Sequence, residues 1–293
     1  MTAEFVLPTL VAAALVSTMG WVDWRLRPRL ALPVFSAAML ISATGLLLAV
    51  LGTATGFVLG PARSTSLLEW CRVIPIHHQV PPLVGAAALV ALAIIGWRVG
   101  CVLRARRHAI RSVDADARIA VVAHASPIAH AVPNKAGCVV VSTGLLSVLT
   151  PAERRAVFAH ERAHLRFGHH RHVLLAELCV AILPPLRAIA DQLRHATERA
   201  ADEAAAAHVN DRRIVARAIG TAALGSPVQG VPGLGGGSVP RRVEALLFPD
   251  RERLAGRPLS SLAVGVFVAA ATAMGVQLHH FGVLIDHLCN GAS

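Results

Sequence analysis

Three stretches of this chain contain no Asp, Glu, Lys or Arg: Leu30 to Ala62, Val73 to Trp97, and Pro258 to Ile285. A helix of about 20 apolar residues crosses a hydrocarbon core, and each stretch is longer than that. The expected fold is therefore a membrane α-helical one. A shorter run, Phe5 to Val22, lies between Glu4 and Asp23, with Trp21 and Trp24 where aromatic rings favour the membrane interface. Arginines follow this run and do not precede it, the reverse of a cleaved leader, so it is expected to stay in place as a further span. The reading is four transmembrane helices, at about residues 5–22, 31–58, 80–101 and 259–280.

Arginine placement orients the spans. Arg25, Arg27 and Arg29 lie between the first two, and Arg98, Arg104, Arg106, Arg107 and Arg111 follow the third, whereas the loop between the second and third holds only Arg63 and Arg72. The positive-inside rule then places both termini outside the plasma membrane and residues 104–257 in the cytoplasm. That segment carries 22 Lys and Arg against 13 Asp and Glu, most of the net charge of +11. Scattered arginines without a recognition motif point to anionic lipid beside the spans and away from direct nucleic-acid binding. The domain plan is thus 1–103 with three spans, a cytoplasmic domain at 104–257, and 258–293 with the fourth span and a short outer tail. Five cysteines, at 71, 101, 138, 179 and 289, form no CxxC pair, which argues against a zinc-thiolate or redox motif. Cys71 and Cys289 would both lie outside and are free to pair there.

Within the cytoplasmic segment, "ARIAVVAH" (117–124) and the run Val139 to Ser142, set off by a turn at Pro133, Asn134 and Gly137, predict a small sheet. Thr150 as N-cap, Pro151 at the first helical position and Glu153 closing a capping box start a helix that Gly168 should stop. Helical stretches are also expected at 174–183, which is apolar enough to lie against the membrane, at 186–209, and at 241–247. The glycine-rich tract 225–240 reads as a loop.

The predicted helix from Thr150 contains "HERAH". His160 and His164, four apart, project from one face and can reach one ion, with Glu161 beside it to take a proton from water. At this composition such a motif arises by chance in about 2 of 100 chains, so a third ligand is needed. Two candidates compete. His170 falls at the offset of an extended HExxHxxGxxH pattern, but Phe167 stands where that pattern has glycine. Glu198, with Asp202 four residues on and on the same helical face, could ligate while Asp202 accepts an N–H from a ligand histidine. Glu198 is favoured, because catalytic zinc commonly combines two His, one Glu and an open position.

The order "STGLLSVLTPAERRAVFAHERAHLRFGH" and then "ERAADEAA" resembles the gluzincin membrane peptidases, most closely the BlaR/MecR-type antirepressor metallopeptidases. Those have three spans before a cytosolic zinc domain and one after it. HtpX-like quality-control proteases share the motifs but distribute their spans differently. The resemblance implies a mainly helical α+β gluzincin-type protease domain carrying a small sheet, with one Zn²⁺ per chain. It makes His160, His164 and Glu198 the ligands, Glu161 the catalytic base and Asp202 the support behind them. The strand Val139, Val140, Val141 and Ser142 becomes an edge that pairs with extended substrate. The substrate it implies is a cytoplasmic protein, such as a transcriptional repressor in antibiotic or stress signalling, and a homo-oligomer is admitted. A beta-lactam sensor of this kind carries a penicillin-binding domain after its fourth span. This chain ends at Ser293 without one, so direct antibiotic sensing is not expected.

Two other functions are compatible with the same residues: a housekeeping protease for damaged membrane proteins, and a non-enzymatic membrane scaffold with a structural zinc. Glu161 favours an enzyme, since a structural site needs no base. The remaining polar residues have plainer readings. His169, His170 and His172 are expected at the helix end or on the surface, and His195 on a solvated face. Asn134 and Lys135 read as turn residues, and His77 and His78 as groups at the outer membrane boundary. Arg241 and Arg242 could meet substrate carbonyls or lipid phosphates.

Overall fold

A computed structural model describes residues 28–59, 80–111, 117–224, 239–248 and Gly275. The expected spans at 5–22 and 259–280, His77, His78, Cys71, Cys289 and nearly all of the glycine-rich tract lie outside the described residues. Helix α1 (Pro28–Leu59) and helix α2 (Pro82–Arg111) coincide with the second and third apolar runs. Both are long and apolar enough to cross a membrane. They meet closely at Gly85, where a Cβ would overlap the Phe57 ring. Small residues allow such an approach between apolar helices.

The remainder is mainly helical with one small sheet, in the order β1 (Ile119–Val122), β2 (Ala129–Val132), β3 (Cys138–Ser142), α3 (Thr143–Val148), α4 (Pro151–Arg166), α5 (His169–Ile182), α6 (Arg187–Val209), α7 (Arg212–Leu224) and α8 (Val239–Leu247). Strand β3 lies in the middle, parallel to β1 and antiparallel to β2. This corrects the expectation that Val139, Val140, Val141 and Ser142 form an edge: all are buried and both flanks are paired. An unbroken β-branched run with no polar alternation suits a strand covered on both faces. The antiparallel edge is β2.

Ser142 ends β3 and caps α3, its hydroxyl accepting the Leu145 N–H at 3.0 Å and donating to the Ser126 carbonyl at 2.7 Å. Gly144 follows, its N–H on the His124 carbonyl, so close to the Ala125 carbonyl that a Cβ would overlap it. Gly144→Ala is expected to cost about 1–3 kcal/mol through overpacking against backbone. A lowered thermal midpoint in detergent would show this, and an unchanged one would contradict it.

Two apolar clusters fix the helices. Ala156 of α4 packs with Ala205 and Ala206 of α6, Val215, Ala216 and Ala218 of α7, and Leu246 of α8. On its other flank α6 presents Ile189, Leu193 and Ala196, spaced three and four apart, to Ala176 and Cys179 of α5 and to Phe35 and Met39 of α1. The first described helix therefore shares a core with the helices behind HERAH.

Candidate metal centre

The helix carrying HERAH begins as its sequence requires. The Thr150 hydroxyl accepts the Glu153 N–H, and the Glu153 carboxylate accepts the Thr150 N–H at 2.9 Å. It ends at Arg166, and Gly168 takes a left-handed conformation with φ 64°, which lets α5 start at His169. Helix α4 packs along α6. The i, i+4 pair on α4 thereby faces the i, i+4 pair Glu198 and Asp202 on α6.

The Nε2 atoms of His160 and His164 are 3.1 Å apart. His160 Nε2 lies 3.5 Å from Glu198 Oε2, and His164 Nε2 lies 3.5 Å from Glu198 Oε1. Zinc bonds of 2.0–2.2 Å in tetrahedral directions separate adjacent ligand atoms by about 3.4 Å, so the two nitrogens and the Glu198 oxygen that each faces, at 3.1–3.5 Å, have the spacing of a zinc ligand set. Among the described residues these three are the group able to hold a metal ion. His170 does not join them, and its carbonyl accepts an N–H from Arg106. His195 lies one turn before Glu198 and is also outside the group.

Each of the three side chains is held from behind. His160 Nδ1 donates to Asp202 Oδ1 at 2.9 Å, and Asp202 is gripped in two-pronged fashion by Arg242, at 2.8 and 2.7 Å. The same guanidinium reaches Glu198 Oε2 at 2.9 Å. With that oxygen engaged, Oε1 remains for an ion. His164 Nδ1 meets His169 Nδ1 at 3.1 Å, where His169 is 1 % exposed. Neutral imidazoles in this contact share one proton, which fixes the ring orientation of His164.

Charge follows from these contacts. Burial pulls the His160 imidazolium down, but hydrogen bonds and charge from Asp202 and Glu198 outweigh it and raise its pKa to about 10. Burial, with the neighbouring His160 charge, lowers His164 to about 4, and burial likewise lowers His169 to about 4. Glu198 is pushed up by burial, yet the His160 hydrogen bond and Arg242 hold it well below the ordinary carboxylate range. Asp202 is held low in the same way, by Arg242 before His160. For His160 and His164 to hold a divalent ion through Nε2, His160 would have to give up its Nε2 proton.

Glu161 is buried beside this group, and burial pushes its carboxyl up to about 6 against the opposing His160 charge. It accepts the backbone N–H of Ala131 on β2. The Ser142 N–H bonds the Ile128 carbonyl, so alternation along the ladder turns His130 and Val132 towards β3. The backbone groups of Ala129 and Ala131 face the other way, along the open edge.

The structure thus brings together His160, Glu161, His164, Glu198 and Asp202, as expected, and adds three groups. Arg242 belongs to the site and not to a lipid surface. His169 is buried against His164 instead of lying at a solvated helix end. The edge beside Glu161 is β2, not Val139 to Ser142. No helical spacing announces the second of these, since five residues on one helix turn a side chain about 140° away.

Comparison with known proteins adds one finding. Residues 102–245 match the model of peptidase family M48, which supports a metallopeptidase enzyme. No curated protein and no solved structure matches the chain.

Proposed function

We propose, taking a metallopeptidase segment at residues 102–245 as the premise, that this protein is a membrane zinc endopeptidase with His160, His164 and Glu198 as ligands and Glu161 as base. The observation that carries this is the ligand triangle of zinc dimensions with a buried carboxylate beside it. Held by these three residues, zinc would supply Lewis-acid polarisation of the scissile carbonyl and a water of pKa about 7. Glu161, already raised by burial, accepts the proton of the attacking water and delivers it to the leaving amine nitrogen. Asp202 accepts from His160 Nδ1, the tautomer that leaves its Nε2 free for the ion, and His169 orients the His164 ring. An extended substrate adds to the sheet at β2, where Ala129 and the Ala131 carbonyl offer backbone groups next to the base.

The four-span plan, with the peptidase segment cytoplasmic between the third and fourth spans, belongs to the same proposal. So does a cytoplasmic protein substrate such as a repressor, in the manner of the BlaR/MecR-type antirepressor peptidases. The two long apolar helices and the arginine asymmetry support this topology. Casein incubated with the detergent-purified protein is expected to be cut, to be spared after chelation by phenanthroline, and to be cut again when zinc is restored. Hydrolysis that survives chelation would remove the zinc peptidase reading.

A further inference from the structure

Helix α1 reads from sequence as one continuous span, but its two halves have different surroundings. From Ala31 to Ala43 the buried residues Ala31, Phe35, Ala38, Met39 and Ala43 form one core with α5 and α6, the helices beside the candidate metal centre. Further along, Leu51 and Val58 are exposed, as are Leu83, Val90, Ile94 and Trp97 on the outer half of α2. The apolar run thus serves as protein interior first and as a candidate lipid surface afterwards.

Four contacts fix where the change occurs. Phe57 lies against Gly85 while Ser36 and Arg106 both reach the first turn of α5, so α1 and α2 run antiparallel, and equal rise along both helices sets Thr44 near Arg98 and Ser36 near Arg106. Helix α5 runs alongside: Arg98 donates to the Val180 carbonyl at 3.5 Å and Arg106 to the His170 carbonyl at 3.3 Å. Ser36 independently meets His172 Nδ1 at 2.8 Å, at the same end of α5 as His170. The three helices therefore share one set of levels. Arg98 is the first charge after the apolar residues of α2, and Thr44, exposed, sits at its height on α1.

We propose that the hydrocarbon boundary crosses this protein at Thr44 and Arg98, that α1 before Thr44 is part of the peptidase domain, and that the metal centre stands outside the bilayer. The inference rests on the membrane reading above and deepens it. From Arg98 to Arg106 α2 rises about 12 Å, and His169, which touches His164, lies at the level of Arg106. The substrate class follows: polypeptide in water or among headgroups, never a bond within a bilayer-embedded helix. A membrane-anchored substrate is cut no nearer than about four extended residues from the end of its span, because each residue reaches at most about 3.3–3.6 Å. The lipid portions, residues 44–59 and 82–97, are each about 24 Å long, and snorkelling of Arg98 extends the second.

The experiment places the fluorescent residue acridonylalanine singly at Leu40, Leu51, Val90 and Phe167 of the full chain, in phosphatidylcholine vesicles with acyl chains brominated at mid-depth. Quenching is expected to be several-fold stronger at Leu51 and Val90 than at Leu40, with little at Phe167. Equal quenching at Leu40 and Leu51, or strong quenching at Phe167, overturns the proposal while leaving a membrane protein. Release of the wild-type protein from vesicles by alkaline carbonate overturns the membrane reading itself.

Discussion

Glu161→Gln is expected to leave zinc binding intact and to lower peptide hydrolysis by about 10²- to 10⁴-fold, the usual contribution of a general base. Glutamine keeps the volume of the side chain and an oxygen to accept the Ala131 N–H, so the packing of α4 on β2 should survive. The ligand triangle does not include Glu161 and is untouched. What the variant loses is the carboxylate that burial holds near the pKa of the proton it must move. Parallel measurement of zinc content and casein hydrolysis separates the outcomes. Hydrolysis at the wild-type rate removes the base assignment, and joint loss of zinc and activity gives Glu161 a structural role instead.

Asp202→Ala carries the second large effect: about 1.5–3 kcal/mol of stability, because the charge-assisted hydrogen bonds from Arg242 and His160 are lost together. Asp202 is 2 % exposed and receives both prongs of Arg242 as well as His160 Nδ1. Removing the carboxylate leaves Arg242 with Glu198 alone, and that pull competes with the metal for the third ligand. Zinc affinity is expected to fall about 10- to 100-fold, as when other outer partners of ligand histidines are lost. Asp202→Asn should fall between Ala and wild type, since it keeps an acceptor for His160 but not the charge facing Arg242. Thermal unfolding and zinc titration check the order. Wild-type affinity in a destabilised Asp202→Ala protein would reduce Asp202 to a partner of Arg242.

The parts of the site that were legible in the sequence are those set by local geometry. The boundaries of α4 follow from Thr150, Pro151 and Glu153 at one end and Gly168 at the other, and i, i+4 spacing puts His160 with His164 and Glu198 with Asp202 whatever the tertiary fold. What was not legible depends on distant segments. Arg242 is 40 residues beyond Asp202, and nothing in "RRVEALL" says which side chain it meets. His169 is buried because α5 restarts immediately after Gly168, whereas a helix beginning later would have left it in solvent. Strand β2 has four residues before a proline, too few to announce pairing, so nothing in the sequence opposes the edge that the resemblance implies at Val139 to Ser142. The division of α1 was invisible for another reason. Lipid and a protein core select the same apolar side chains, so composition alone does not separate residues 31–43 from those that follow.

A zinc site built from two histidines of one helix and a glutamate of another fixes the metal content of the protein and of its variants. Zinc per chain is measured by mass spectrometry of the metal in detergent-purified wild type and Glu198→Ala. About one zinc in the wild type and a steep loss in the variant is the predicted result. Equal zinc in both proteins, or none in the wild type, would contradict it.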